Sequence, residues 1–219
     1  MNRKVIAALG AAALIAGFAF AAYLYNSQQA AKVDAFAAQF SAPPLVRNYA
    51  QTLGPADARV VLVEFFDPGC ETCRTFAEPV KRIVESSGGK VRLVLRYAPF
   101  HHGSDIMAKA LEAARRQGKY WETLDLMYAK QKAWADHHHP RPDAMWEFFP
   151  LVGLDLERLQ MDMLDPQIEA VVQQDMADAR TLGVRKTPTF IVNGETLGRF
   201  GLKELRELVG KKVGEAYGG

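Results

Sequence analysis

Val63-Glu64-Phe65-Phe66-Asp67-Pro68-Gly69-Cys70-Glu71-Thr72-Cys73 is the stretch on which the fold turns. Its first half completes an apolar run, Arg59 to Phe66 (RVVLVEFF), rich in β-branched and aromatic residues and interrupted only by Glu64. Such a run, without polar alternation, predicts a strand buried on both faces. Asp67-Pro68-Gly69 breaks it, and a helix is expected from about Cys70 to Glu85. Lys90 to Tyr97 (KVRLVLRY) reads as a second strand. Strand, helix and strand over about forty residues make a βαβ unit with a parallel pair. The chain's two cysteines, Cys70 and Cys73, fall at i and i+3 where the first strand meets the helix.

That position suits redox chemistry. The unpaired N–H groups and positive dipole end of a helix N-terminus stabilise a thiolate at Cys70. Cys73, one turn inside, reaches the Cys70 sulfur while facing the core. The expected division is an exposed nucleophile, Cys70, and a resolving partner, Cys73. Glu64 is expected to lie buried below the CxxC turn, where an uncompensated carboxylate tends to take up a proton and can exchange it with Cys73. The bland alternative is a strand-end position reaching solvent. Thr187-Pro188-Thr189 precedes a second strand pattern. Pro188 either adopts the cis form, leaving neighbouring backbone free to pair with an extended peptide, or begins an edge strand in trans.

Outward from these motifs, helices are expected from Ile106 (capped by Ser104-Asp105), over Tyr120 to about Lys132, around Asp143 to Val152, near Asp155, and from Asp165-Pro166 to Leu182. Gly183 stops the last of these. Thr189 to Val192, the turn Asn193-Gly194 and Glu195 to Leu197 read as a hairpin, and Leu202 to Lys212 as a closing helix. The plan is β-α-β, a helical insertion over about residues 103–185, then β-β-α, an α/β fold. Tyr120, Trp121, Trp134, Trp146, Phe148 and Phe149 are spread through the insertion and read as core, with a groove for unfolded substrate, lined by a few of them, as the alternative.

Val5 to Tyr25 is a run of 21 uncharged residues behind Arg3 and Lys4. As a helix it spans about 31 Å, and the flanking charges keep its N-terminus cytoplasmic. Residues 1–25 are therefore expected to be a single transmembrane anchor, residues 26–44 a stalk, and residues 45–219 the exported domain. A cleaved signal ending near Ala19-Phe20-Ala21 is the competing reading. Without Arg3 and Lys4, the 27 Lys+Arg fall to 25 and equal the 25 Asp+Glu. A neutral exported part makes nucleic acid a poor partner.

Together, the Val63–Cys73 run and Gly183-Val184-Arg185-Lys186-Thr187-Pro188-Thr189-Phe190-Ile191-Val192-Asn193-Gly194 resemble the DsbA-like branch of the thioredoxin superfamily. The resemblance covers about Leu45 to the C-terminus. It implies a thioredoxin fold with an inserted helical domain, a cis bond before Pro188, and thiol–disulfide exchange on exported proteins without a cofactor. In that role Cys70 is the attacked sulfur, Cys73 the resolving one, Glu64 the buried acid, and Thr187-Pro188 the substrate loop. A bacterial inner membrane location follows, with the domain in the periplasm and a DsbB-like quinone-linked partner, or a reducing equivalent, in the membrane. The departures concern direction. Glu71-Thr72 replaces the Pro-His of the best-known oxidases, so Cys70 is expected to be less acidic than theirs, with no histidine between the cysteines to help it. Thr187 is similar to the disulfide isomerases, but the stretch before Leu45 is too short for their dimerisation domain. An oxidase is the leading reading, and a reductase or isomerase the alternative.

The five histidines form two clusters, His101-His102 and His137-His138-His139. A copper or zinc module using CxxC and the triple is the reading from another class, but adjacent residues do not converge on one ion, and no metal is assigned. His101 or His102, just after the second strand and Pro99-Phe100, could approach the active-site face; a contact at a helix start is the preferred reading.

Overall fold

Val60–Phe66 (β2) is the centre of the sheet, as its apolar run requires. The structure is a computed structural model that describes residues 45–135 and 140–218, with positions 17, 20 and 23 also helical. The rest of the expected anchor and stalk, and the His137–His139 triple, lie outside the described residues. Among the described residues, no helix is long and apolar enough to cross a membrane.

β2 pairs in parallel with Val91–Tyr97 (β3), placing Glu64 opposite Leu95, and antiparallel with Thr189–Val192 (β4), placing Glu64 opposite Phe190. Gln51–Leu53 (β1) adds antiparallel to β3, and Glu195–Thr196 (β5) to β4, giving the order β1-β3-β2-β4-β5. β1 is not foreseen from the sequence, since three residues carry no periodicity and only the free edge of β3 selects them. The Asn193-Gly194 turn has positive φ at both residues, 46° and 83°, as a two-residue hairpin of this kind demands.

Glu71–Glu85 (α1) joins β2 to β3. The insertion then runs through Ser104–Arg116 (α2), Tyr120–Ala129 (α3), Gln131–Trp134 (α4), Leu156–Met163 (α5) and Pro166–Thr181 (α6). Leu202–Tyr217 (α7) closes the chain. Val60, Leu62 and Phe66 share one core with Cys73, Val80 and Val84 of α1, with Leu205 and Val209 of α7, and with the insertion. Val63 and Phe65 point the other way, into a smaller cluster with Val94, Ala179 and Ile191. Tyr120, Trp134 and Phe149 are buried, with Trp121, Trp146 and Phe148 packed against them, so the insertion's aromatics are core as expected.

Four boundaries differ from the sequence-based expectation. α2 starts at Ser104 itself, with Gly103 in the left-handed region as its cap and no side-chain cap bond. The single helix expected over Tyr120–Lys132 is broken at Lys130 into α3 and α4. The helix expected over Asp143–Val152 is two short 3-10 turns, Pro142–Met145 and Phe149–Val152, because Pro150 has no N–H to donate. α7 runs five residues beyond Lys212, held by packing of Val213 and Tyr217 and by the Tyr217 hydroxyl, which accepts the Arg59 N–H at 2.7 Å.

Behind the sheet, Arg96 of β3 is fully buried. Its guanidinium donates to Asp175 at 2.7 Å and Asp178 at 2.5 Å, both on α6, and to the Leu45 carbonyl at 2.9 Å. Arg47 also pairs with Asp178, and Tyr49 donates to Asp175. This network fastens α6 and the segment at 45–49 to the sheet.

Candidate active site

Cys70 is the N-cap of α1, in extended geometry (φ −79°, ψ 121°) with its sulfur accepting the Cys73 N–H at 3.4 Å. A cysteine thus stands where Ser or Asp normally satisfies the first-turn donors. The sulfur also lies 3.3 Å from the Thr187 carbonyl, to which it donates when protonated, and the Thr187–Pro188 bond is cis. The β2–α1 turn and the loop before β4 are thereby brought together. Both cysteines are free thiols. The expected exposure of Cys70 is corrected: the residue is only 4% exposed, because the Thr187–Pro188 loop and the insertion close over it.

The two thiols are driven apart. Hydrogen bonding to the Cys73 side chain lowers Cys70 to about 6 against the opposing effect of burial, and Thr187 and the backbone N–H groups of Cys73 and Thr72 help. Burial pushes Cys73 well above its ordinary value, reinforced by Cys70 and Glu64. Near neutral pH Cys70 is therefore largely thiolate and Cys73 thiol.

Glu64 is 4% exposed, on the sheet face below the cysteines, and burial followed by the charge of Cys70 pushes its carboxyl up to about 8. The solvent-reaching alternative does not hold. A small cavity beside it is lined by Phe66, Ala77, Lys81, Leu95, Trp121 and Tyr128. The Tyr128 hydroxyl is pushed well up, first by burial and then by Cys73 and Glu64.

Three further residues shape the site: Asp67 and Gln131, which the sequence does not single out, and His101, for which it offers the active-site face only as the less favoured reading. Asp67, fully buried, accepts the Gly69 N–H at 2.7 Å and the His101 N–H at 2.9 Å, and its other contact is His101 Nδ1 at 2.6 Å. His101 is therefore more than a contact at a helix start: its imidazole pKa is raised, chiefly by Asp67, at the foot of the CxxC turn. Gln131 of α4 donates to the Pro68 and Cys70 carbonyls. An Asp two residues before a glycine is an Asx-turn signal that marks Asp67 in retrospect; Gln131 has no local signal.

Gly69 leaves no room for a side chain. A Cβ there would lie 2.4 Å from Ser104 Oγ and 3.0 Å from Pro140 Cγ. Gly69→Ala is expected to displace the turn and cost about 1–3 kcal/mol, read by urea denaturation; unchanged stability would show that the turn yields freely.

The Thioredoxin_4 family, described as thioredoxin, matches residues 47–211. The chain belongs to the thioredoxin family. A thioredoxin-like oxidoreductase from Silicibacter pomeroyi DSS-3 is 33% identical, covering 76% of this chain and 94% of that one, with a TM-score of 0.66. DsbA2 of Pseudomonas aeruginosa is 26% identical over 69% of this chain and 85% of its own, at TM-score 0.58. BdbD of Bacillus subtilis, 22% identical, shares the fold at TM-score 0.63 over 75% of this chain and 93% of its own. With its helical insertion and its likeness to DsbA2 of Pseudomonas aeruginosa, this thioredoxin-family chain is of the DsbA-like type of thiol–disulfide oxidoreductase. Among curated relatives, a Na(+)/H(+) antiporter NhaA from Herminiimonas arsenicoxydans is 33% identical over 155 residues, 71% of this chain but 24% of that protein. The chain spans about a quarter of the length of such relatives, so their antiporter name describes a much longer polypeptide.

Proposed function

We propose that Cys70 and Cys73 perform thiol–disulfide exchange on exported proteins, in the oxidising direction. The observation that carries the exchange chemistry is the placement of both thiols at one helix N-terminus, Cys70 as its N-cap and Cys73 one turn inside, with Cys70 lowered and Cys73 raised. The oxidising direction is supported by the helical insertion. A substrate thiolate attacks Cys70 Sγ of the Cys70–Cys73 disulfide; that bond breaks and Cys73 leaves with the electron pair, taking the proton held by Glu64. A second substrate thiolate then attacks the substrate sulfur of the mixed disulfide and releases Cys70 as a thiolate. The substrate dithiol is oxidised by two electrons and the enzyme pair reduced. Thr187 and Pro188, beside the reacting sulfur, are the substrate-binding backbone, and a groove lined by Lys186, Phe190, Leu197 and Phe200 continues from Pro188.

Membrane anchoring through residues 1–25, a periplasmic setting and reoxidation by a quinone-linked membrane protein complete the proposal. The reductase or isomerase reading uses the same residues in reverse. It is favoured by Thr187 and by a Cys70 value of about 6, closer to thioredoxin's ≈ 7 than to the ≈ 3.5 of a strong oxidant. The test mixes oxidised chain with a reduced, unfolded polypeptide bearing two cysteines. Stoichiometric transfer of the disulfide is expected, and none would overturn the proposal.

Glu64 gives a pH signature. Its folded value, about 8, lies above the ordinary 4.5, so no penalty exists below about 4.5 and the penalty grows until pH passes about 8. At pH 7 this amounts to about 3 kcal/mol. Glu64→Gln is expected to stabilise the reduced domain by up to that amount at pH 7 and hardly at all at pH 4.5, while slowing the release of mixed disulfides. A stability difference independent of pH would contradict the assignment.

A further inference from the structure

Gln131 lies 61 residues beyond Cys70, in the inserted helical region, yet its side chain reaches the redox turn. The residue is 1% exposed, and Nε2 donates to the Pro68 and Cys70 carbonyls, each at 3.1 Å. Two acceptors in front of the amide settle its orientation, since only the NH₂ end can face them. The Cys70 carbonyl also accepts the Arg74 N–H at 3.2 Å, the first backbone bond of α1. Gln131 therefore grips the peptide plane that sets the N-cap geometry of Cys70. Asp67 holds the same turn from the other side through the Gly69 N–H.

The opposite end of the amide is revealing. Gln131 Oε1 is buried and has no hydrogen-bond partner among the described residues. An unmet buried acceptor disfavours folding, which an apolar side chain of similar size would avoid. What the glutamine adds at this place is the pair of bonds to the redox turn.

We propose that Gln131 is a positioning residue for Cys70, through which the helical insertion holds the sulfur against the N–H groups of α1 and so stabilises the reduced pair. This rests on the reading of Cys70–Cys73 as the redox centre. Losing the grip lets the turn relax, weakens the N–H contacts to the sulfur, and shifts the pair toward its disulfide.

The test is Gln131→Met in the full chain, which keeps the volume and removes both donors. The ultraviolet titration of the Cys70 thiolate is expected to move upward by about one pH unit. At pH 7 the glutathione equilibrium then moves about fivefold toward the disulfide, equivalent to about 20 mV. Gln131→Asn, which keeps the amide but withdraws it, is expected to shift both readouts in the same direction and serves if the Met variant does not fold. A lowered melting temperature with both readouts unchanged would make Gln131 a packing residue and overturn the proposal. Absence of exchange in the unsubstituted chain would instead overturn the redox reading, and the thiolate titration would still report on the grip.

Discussion

Cys70→Ser is expected to abolish disulfide transfer while leaving the fold intact. Serine is a good N-cap, so its hydroxyl takes over the bond from the Cys73 N–H that the sulfur now accepts. The loss is therefore chemical, with thermal stability little changed. Cys73→Ser separates the two roles. Cys70 keeps its place at the helix N-terminus and still attacks a substrate disulfide, but no second thiol remains to resolve the adduct. Covalent adducts between this variant and a disulfide-bearing substrate are expected to accumulate, seen as a mass increase reversed by reductant. A Cys73→Ser chain that turns over at the unsubstituted rate would contradict the division of labour, as would residual transfer by Cys70→Ser.

Arg96→Leu is expected to be the most damaging substitution for stability away from the site, by about 3–5 kcal/mol. It leaves the buried Asp175 without its guanidinium and Asp178 with Arg47 and the Gln174 amide. The sign with pH follows from Asp175, whose carboxyl burial already raises even with Arg96 beside it. Without Arg96 it takes up a proton more readily, so the deficit should shrink as pH falls from 7 toward 5. The measurement is urea denaturation of both chains at the two pH values. A deficit that is small, or that grows with acidity, would show that the ion network is not what fastens α6 to the sheet.

The residues legible from sequence are those whose neighbours in the chain are also their neighbours in space. The apolar run to Phe66, the break at Asp67-Pro68-Gly69 and the cysteines at i and i+3 define β2, α1 and the redox turn together. Glu64 is conspicuous because a single carboxylate interrupts that run, and Pro188 because it stands just ahead of a hairpin. The residues that support the site come from elsewhere. His101 arrives from the loop after β3, and Gln131 from a four-residue helix whose start at Lys130 has no punctuating glycine or proline. His101 is signalled only by its place just after a strand of the βαβ unit, whereas tertiary contact alone selects Gln131, as it does β1 and the short 3-10 turns. The burial of Cys70 is illegible for the same reason, since the loop that covers it lies 117 residues away.

The central claim is that Cys70 and Cys73 form a reversible redox pair that oxidises other proteins. Its most direct measurement is the equilibrium of the pair against glutathione at pH 7, read as the fraction of Cys70–Cys73 disulfide across a series of thiol and disulfide ratios. The expected result is one two-electron transition at a potential less negative than about −220 mV. A transition well below about −260 mV would contradict the oxidising direction. No transition at all, with stoichiometric copper or zinc binding lost in Cys70→Ser, would contradict the redox pair itself.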